Sequence, residues 1–401
     1  MKLFSHLLVF TALTLSLFAC SPATPTPTPP PPAFPTVLPA LTETPSLALL
    51  PTLAAPPTPL AGPAFLVVYP TAAGLRALTS TSPEPLILTT DGADTRPVLA
   101  ASGNWVSFQR GSELWVVETS VGQPRKVFGE AGVAPLQFAF TPNSQSLIFT
   151  TSASDGTPRF DLNRADLLNG RLEQLLPAGQ AGEFTISPDG QFLALVQPNQ
   201  ILVASADGTA RRVVDQFPPV GAYLPKIAWL ENSFGFKTVI PGAAGQLARL
   251  MFLPAAGGPP AQLAQFPAVS PEVSEMYIAP DGSKVLYARE QAGQLELHVI
   301  DASTADRRLF AFPKGQVGLL GWTPDSQAPL FWLEQPGQAW VARGENRQPL
   351  SDGAAATDLV WLNAETVLFR NGNELRWRTA SQPSQLLASD VTSPFAALQL
   401  P

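Results

Sequence analysis

Between residues 64 and 401 one short pattern recurs: an apolar strand, a Pro-Asp-Gly type turn, and a second apolar strand. It is clearest at Phe184 to Val196, around Pro188-Asp189-Gly190, and at Met276 to Ala288, around Pro280-Asp281-Gly282. Weaker copies run from Phe138 to Phe149, around Pro142-Asn143-Ser144, and through Gly321 to Ser326, around Pro324-Asp325-Ser326. Proline presets φ, aspartate bonds its own backbone, and glycine accepts the left-handed position, so each copy reverses the chain tightly. Degenerate copies lie at Leu99 to Ser107, Ile227 to Phe236 and Leu359 to Phe369. The seven strand pairs recur at roughly 40 to 50 residues, the period of a propeller blade.

Each pair leads into a second hairpin. Leu114 to Glu118 precedes Arg125 to Phe128, Leu202 to Ala204 precedes Arg211 to Val214, Leu297 to Ile300 precedes Arg307 to Phe310, and Leu375 to Trp377 precedes Gln385 to Leu387. The unit therefore has four strands. The stretch Asp161 to Leu176 carries Asn169-Gly170 between apolar runs, the signature of a type I′ hairpin rather than a helix. At the N-terminal end of the region only three strands are left over: Phe65 to Tyr69, Leu75 to Leu78 and Leu86 to Thr89. A single strand, Phe395 to Leu400, remains at the C-terminal end. One ring closed by that strand joining the first three uses both leftovers and removes exposed edges. The expected fold is all-β: a β-propeller of four-stranded antiparallel blades, eight in number, with seven the alternative if one degenerate repeat is an insertion.

These strand pairs resemble the PD40 repeats of TolB-like bacterial propellers. The resemblance covers nearly all of 64–401, and it implies an envelope interaction protein. The Gly-His and Trp-Asp signatures of WD40 repeats are absent.

Ahead of the repeats, Met1-Lys2 opens onto an apolar run from Leu7 to Ala19 that is too short to span a bilayer. It ends Leu17-Phe18-Ala19-Cys20, which resembles the lipobox of bacterial lipoproteins. The resemblance implies a signal peptide over 1–19 and lipidation of Cys20 as the first mature residue. Cys20 is the only cysteine in the 401 residues, so neither an internal disulfide nor a thiolate metal site is available. Two or three acyl chains, at about 0.8 kcal/mol per buried methylene, hold a protein on a membrane durably. Residues 21–63 hold 15 of the 44 prolines and one charged residue, Glu43. Such a segment favours polyproline II, so 20–63 reads as a lipidated cysteine followed by a Pro/Thr-rich, disordered stalk.

The chemistry on offer is thin. Removing Lys2 leaves 23 basic against 31 acidic residues, a net −8, which argues against a nucleic-acid partner. Of two histidines, His6 leaves with the signal peptide, and His298 sits on an alternating strand with no second histidine or thiol for a metal. It reads as structural. No Gly-x-Ser-x-Gly elbow and no Walker loop occur. Asp91, Asp94, Asp155, Asp189, Asp281 and Asp325 fall in polar turns and read as turn makers rather than calcium ligands. Trp229, Trp322 and Trp361 take equivalent places at inner-strand ends and read as packing between blades. No catalytic residue, metal site or cofactor is assigned. The expected function is a membrane-anchored, extracytoplasmic binding module for an envelope protein or a glycan. The alternatives are a carbohydrate-active or lactonase-type propeller with carboxylates at the channel, and an accessory or sensor subunit of an envelope transport system. The loop Ser152 to Arg159 is left open between a binding element and a variable insert.

Overall fold

A computed structural model describes residues 65–400, apart from 81–83, 121, 222, 243–246, 268–275, 302–305, 336, 351–355 and 380–382. The chain divides into two units, Met1–Ala48 and Leu49–Pro401, and every described residue belongs to the second. The expected signal peptide over 1–19, the expected lipidation of Cys20 and the expected stalk over 21–63 lie outside the described residues.

Among the described residues, alternating apolar positions and positive-φ turn residues produce 32 strands in eight four-stranded antiparallel sheets. Each sheet is one blade, and each runs in chain order except the first. Blade 1 is built from Phe65–Thr71, Gly74–Thr79 and Leu86–Ile87, with Ala396–Gln399 from the far end of the chain as its inner strand. The expected eight blades and their closure are both present. The inner strands of blades 2 to 8 are Asp94–Leu99, Val133–Phe140, Glu183–Ile186, Ile227–Trp229, Tyr277–Ile278, Val317–Trp322 and Thr357–Trp361.

Side-chain alternation with period two explains how the blades stack. In the first strand, Leu66 and Val68 pack on Val106 and Phe108 of blade 2, whereas Phe65, Val67 and Tyr69 pack on Leu368 and Leu375 of blade 8. The same division of odd and even positions gives one apolar cluster at each of the eight blade interfaces. Two of the repeated tryptophans tie neighbouring inner strands by hydrogen bonds. Trp229 Nε1 donates to Thr185 Oγ1 at 2.9 Å, and Trp322 Nε1 donates to the Tyr277 carbonyl at 2.9 Å. Trp361 is half-buried and its Nε1 has no partner among the described residues.

The turns between first and second strands alternate around the ring. Blades 2, 4 and 6 place Gly103, Gly190 and Gly282 at φ of 73°, 72° and 68°, whereas blades 3, 5 and 7 place Ser144, Ser233 and Ser326 there at 59°, 58° and 59°. Each serine is buried, and its Oγ accepts the backbone N–H that precedes the glycine of the blade before it. The bonds are Ser102 N to Ser144 Oγ (3.1 Å), Asp189 N to Ser233 Oγ (3.0 Å) and Asp281 N to Ser326 Oγ (3.0 Å). Over these blades the repeat is therefore a pair of blades.

Two local expectations change. The Asn169-Gly170 hairpin forms, but only Gly170 has positive φ, so the turn is not type I′. Asp166 Oδ1 instead accepts the N–H groups of Leu168 and Asn169, which makes a wider turn around the carboxylate. Asp94 is not in a turn: it begins the inner strand of blade 2 and is buried.

Candidate functional site

The topology puts the connections between second and third strands on the same face as the connectors from one blade to the next. Inner strands start at that face, so their first residues rim the axial channel there. Most described connections between second and third strands are two residues long. That of blade 3, between Ser146–Ala153 and Leu162–Asp166, spans residues 154–161.

This loop is built, not loose. Its N-terminal half closes through Gly156 N to Ala153 O (2.9 Å) and Ala153 N to Thr157 O (2.9 Å), and Arg159 N donates to Thr151 O (3.0 Å). Asp161 is buried, and its carboxylate accepts three hydrogen bonds, from Thr151 N (2.8 Å), Thr151 Oγ1 (2.8 Å) and Asn163 Nδ2 (3.1 Å). Such charge-assisted bonds are the strong ones. The connector to blade 4 then docks on the loop through Gly179 N to Arg159 O and Ala181 N to Phe160 O. Between these anchors Phe160 is held at φ 51°, a region a bulky residue enters only when its surroundings force it. The segment Ser152 to Arg159, left open between a binding element and a variable insert, is thus an ordered part of blade 3.

The loop forms one wall of a cavity of about 420 Å³ where blades 3 and 4 meet the channel. Leu136, Pro158, Phe160 and Leu224 supply apolar surface, and Gln137, Thr150, Gly182 and Glu183 complete the lining. A bulge in the inner strand of blade 3, between Pro135 and Gln137, presents Leu136. Gln137 is locked: its amide donates to the Phe184 carbonyl (2.7 Å) and accepts the Phe184 N–H (3.0 Å). Glycine is required at 182, because a Cβ there would lie 2.2 Å from the Val196 carbonyl oxygen. Glu183, the first residue of the next inner strand, is exposed. The volume and the mostly apolar lining with few polar groups are those of a small-ligand site.

Other inner-strand carboxylates are committed elsewhere. Asp94 is bidentate to Arg110 (2.6 and 3.0 Å) and accepts the Thr89 hydroxyl. Asp358, at φ 53° in a bulge, pairs with Arg370 Nε at 2.6 Å. Arg96 occupies the matching bulge of blade 2 at φ 52°, bonded to Gln109 and to the Leu136 carbonyl, and burial lowers its pKa. Among the described residues no three His, Cys, Asp or Glu side chains are placed to hold a metal. The turn aspartates do turn work: Asp189, Asp281 and Asp325 accept the N–H two residues on, from Gln191, Ser283 and Gln327.

His298 belongs to a polar cluster in blade 6 that faces blade 5. Its Nδ1 lies 2.8 Å from Asp306 Oδ1 and its Nε2 lies 3.2 Å from Glu296 Oε2, and its ring stacks on Tyr287 at 5.3 Å. Glu296 also accepts Arg308 (2.9 Å) and Arg289 (3.0 Å). Arg308 first, then Arg289 and His298, outweigh burial and hold the Glu296 carboxyl down to about 2. Tyr287 is pushed up, chiefly by burial. His298 is only 3% exposed, so the cluster is a structural tie between strands. Residue-by-residue reading did not find it, because its members come from three strands, Lys284–Gln291, Gln294–Asp301 and Asp306–Pro313, assembled across one sheet.

No known family profile matches the chain, and no curated protein does. Among solved structures the chain is similar to the dihydro-heme d1 dehydrogenase NirN, with 14% identity over 86% of this chain and 77% of that one, at a TM-score of 0.60. It is also similar to an oligogalacturonate lyase from Vibrio parahaemolyticus (12% identity, 69% of this chain and 90% of that one, TM-score 0.50). TolB from Acinetobacter baumannii matches at 15% identity over 65% of each chain, with a TM-score of 0.36. At such identities the likenesses to NirN and to the oligogalacturonate lyase speak for the propeller fold alone, and the one to TolB carries no argument.

Proposed function

We propose that this protein is a non-catalytic binding module, carried outside the bacterial cell on a lipid attached to Cys20, that engages an envelope partner or ligand through its loop face. The observation that carries this reading is the cavity between blades 3 and 4, whose wall is a loop pre-ordered by the buried Asp161 and by the strained backbone of Phe160. Pre-ordering of this kind lowers the entropic cost of binding. The inner-strand carboxylates Asp94 and Asp358 are each held by an arginine, which favours binding over acid–base chemistry at the channel mouth. The Leu17 to Cys20 motif and the proline-rich segment after it support a tethered, extracytoplasmic location.

In-cell cross-linking followed by purification of the tagged protein from its own membranes tests this reading, with a Cys20→Ser version in parallel. The expected result is a near-stoichiometric partner or ligand, reduced when the anchor is lost. Recovery of both versions from the soluble fraction, with nothing reproducibly bound, would overturn it.

A further inference from the structure

We propose that the cavity between blades 3 and 4 is an organic-ammonium site, taking a small ligand with an apolar body and one protonated amine. The inference rests on the binding-module reading and names the ligand class. The lining combines the three features that recognise such a group. Leu136, Pro158 and Leu224 offer apolar walls. Phe160 offers an aromatic ring, whose face attracts cations. Glu183 offers a carboxylate at the rim, and it makes no hydrogen bond or ion pair among the described residues.

Three further observations sharpen the choice. None of the eight lining residues is cationic, so nothing in the lining repels an ammonium. The Arg96 guanidinium is bonded to the Leu136 carbonyl and Gln109 and lies 5.2 Å over the Phe138 ring, and Arg96 is not among the lining residues. The Thr150 hydroxyl makes no hydrogen bond among the described residues, so it remains open as an acceptor, whereas Gln137 is spent on the Phe184 backbone. An anionic or sugar-like ligand would need donors in number, and here the lining side chains offer few that are uncommitted.

Phenethylamine and its neutral counterpart phenethyl alcohol are the probes, titrated by calorimetry into the full chain in detergent micelles with a protein-free micelle blank. Saturable binding of the amine, about tenfold tighter than the alcohol, is expected from a carboxylate and an aromatic face acting together. Glu183→Gln, at an exposed position, should erase that preference while leaving the alcohol's affinity unchanged. Phe160→Leu should weaken the amine severalfold. Equal affinity for the two probes, or a preference that survives Glu183→Gln, would overturn the ammonium assignment and leave the binding module standing. If neither probe binds and cross-linking also yields no partner, both readings fall.

Discussion

Leu66 of the first strand stands directly opposite Leu398 of the last, and the pairing continues through Val67 with Ala397 and Val68 with Ala396. The two ends of the repeat region thus share one sheet. Leu66 is fully buried and contributes to the core between blades 1 and 2. Leu66→Ala should cost about 2–5 kcal/mol, as for other buried leucines. Removing residues 395–401 should be worse, because it bares the edge of Phe65–Thr71 as a template for pairing between molecules. Thermal unfolding and light scattering of the truncated protein check this: a melting point unchanged from the intact chain would mean the closure is ornamental.

The paired-blade arrangement predicts an order of stabilities at Ser233. Ala there loses the acceptor of the Asp189 N–H and keeps a strained φ of 58°, so Ser233→Ala should cost about 1–2 kcal/mol. Ser233→Gly loses the same bond but relieves the backbone, so it should cost less. Denaturant unfolding of the two variants reads the order directly, and Gly less stable than Ala would refute it.

Acid should act through Glu296. Its carboxyl, held down to about 2 from an ordinary 4.5, adds stability that is fully present above about pH 4.5 and disappears as pH falls toward 2. At neutral pH the wild type should therefore melt above Glu296→Gln, and the gap should close through that window. Melting curves collected from pH 7 to pH 2 measure it. A constant gap would show that the ion pairs with Arg308 and Arg289 contribute nothing net.

Asp161→Ala should loosen the loop over 154–161 with little effect on the rest of the ring. The carboxylate's three bonds are all local to blade 3, and a charged hydrogen bond contributes about 1.5–3 kcal/mol. Hydrogen exchange should speed up at Thr151 and Ala181 while the inner faces of blades 6 and 7 stay protected. Uniform acceleration across all blades would indicate a global role instead.

The sequence by itself determined the architecture: all-β, eight blades, four strands each, and a ring closed by its own ends. It did so because strand alternation and turn chemistry act over two to five residues, and the repeat prints them many times over. Even the blade pairing is written there, as Ser-Gly or Asp-Gly in one turn and Asn-Ser or Asp-Ser in the next, although its meaning needs the neighbouring blade. The site was decided only in three dimensions. Leu136, Phe160, Glu183 and Leu224 carry no shared pattern along the chain, and they meet because the topology brings the starts of inner strands, the 154–161 loop and the connector between blades 4 and 5 to one face. Asp94 looked like a turn residue for the same reason: its partner Arg110 lies on the adjacent strand, and only strand pairing brings the two charges together out of water.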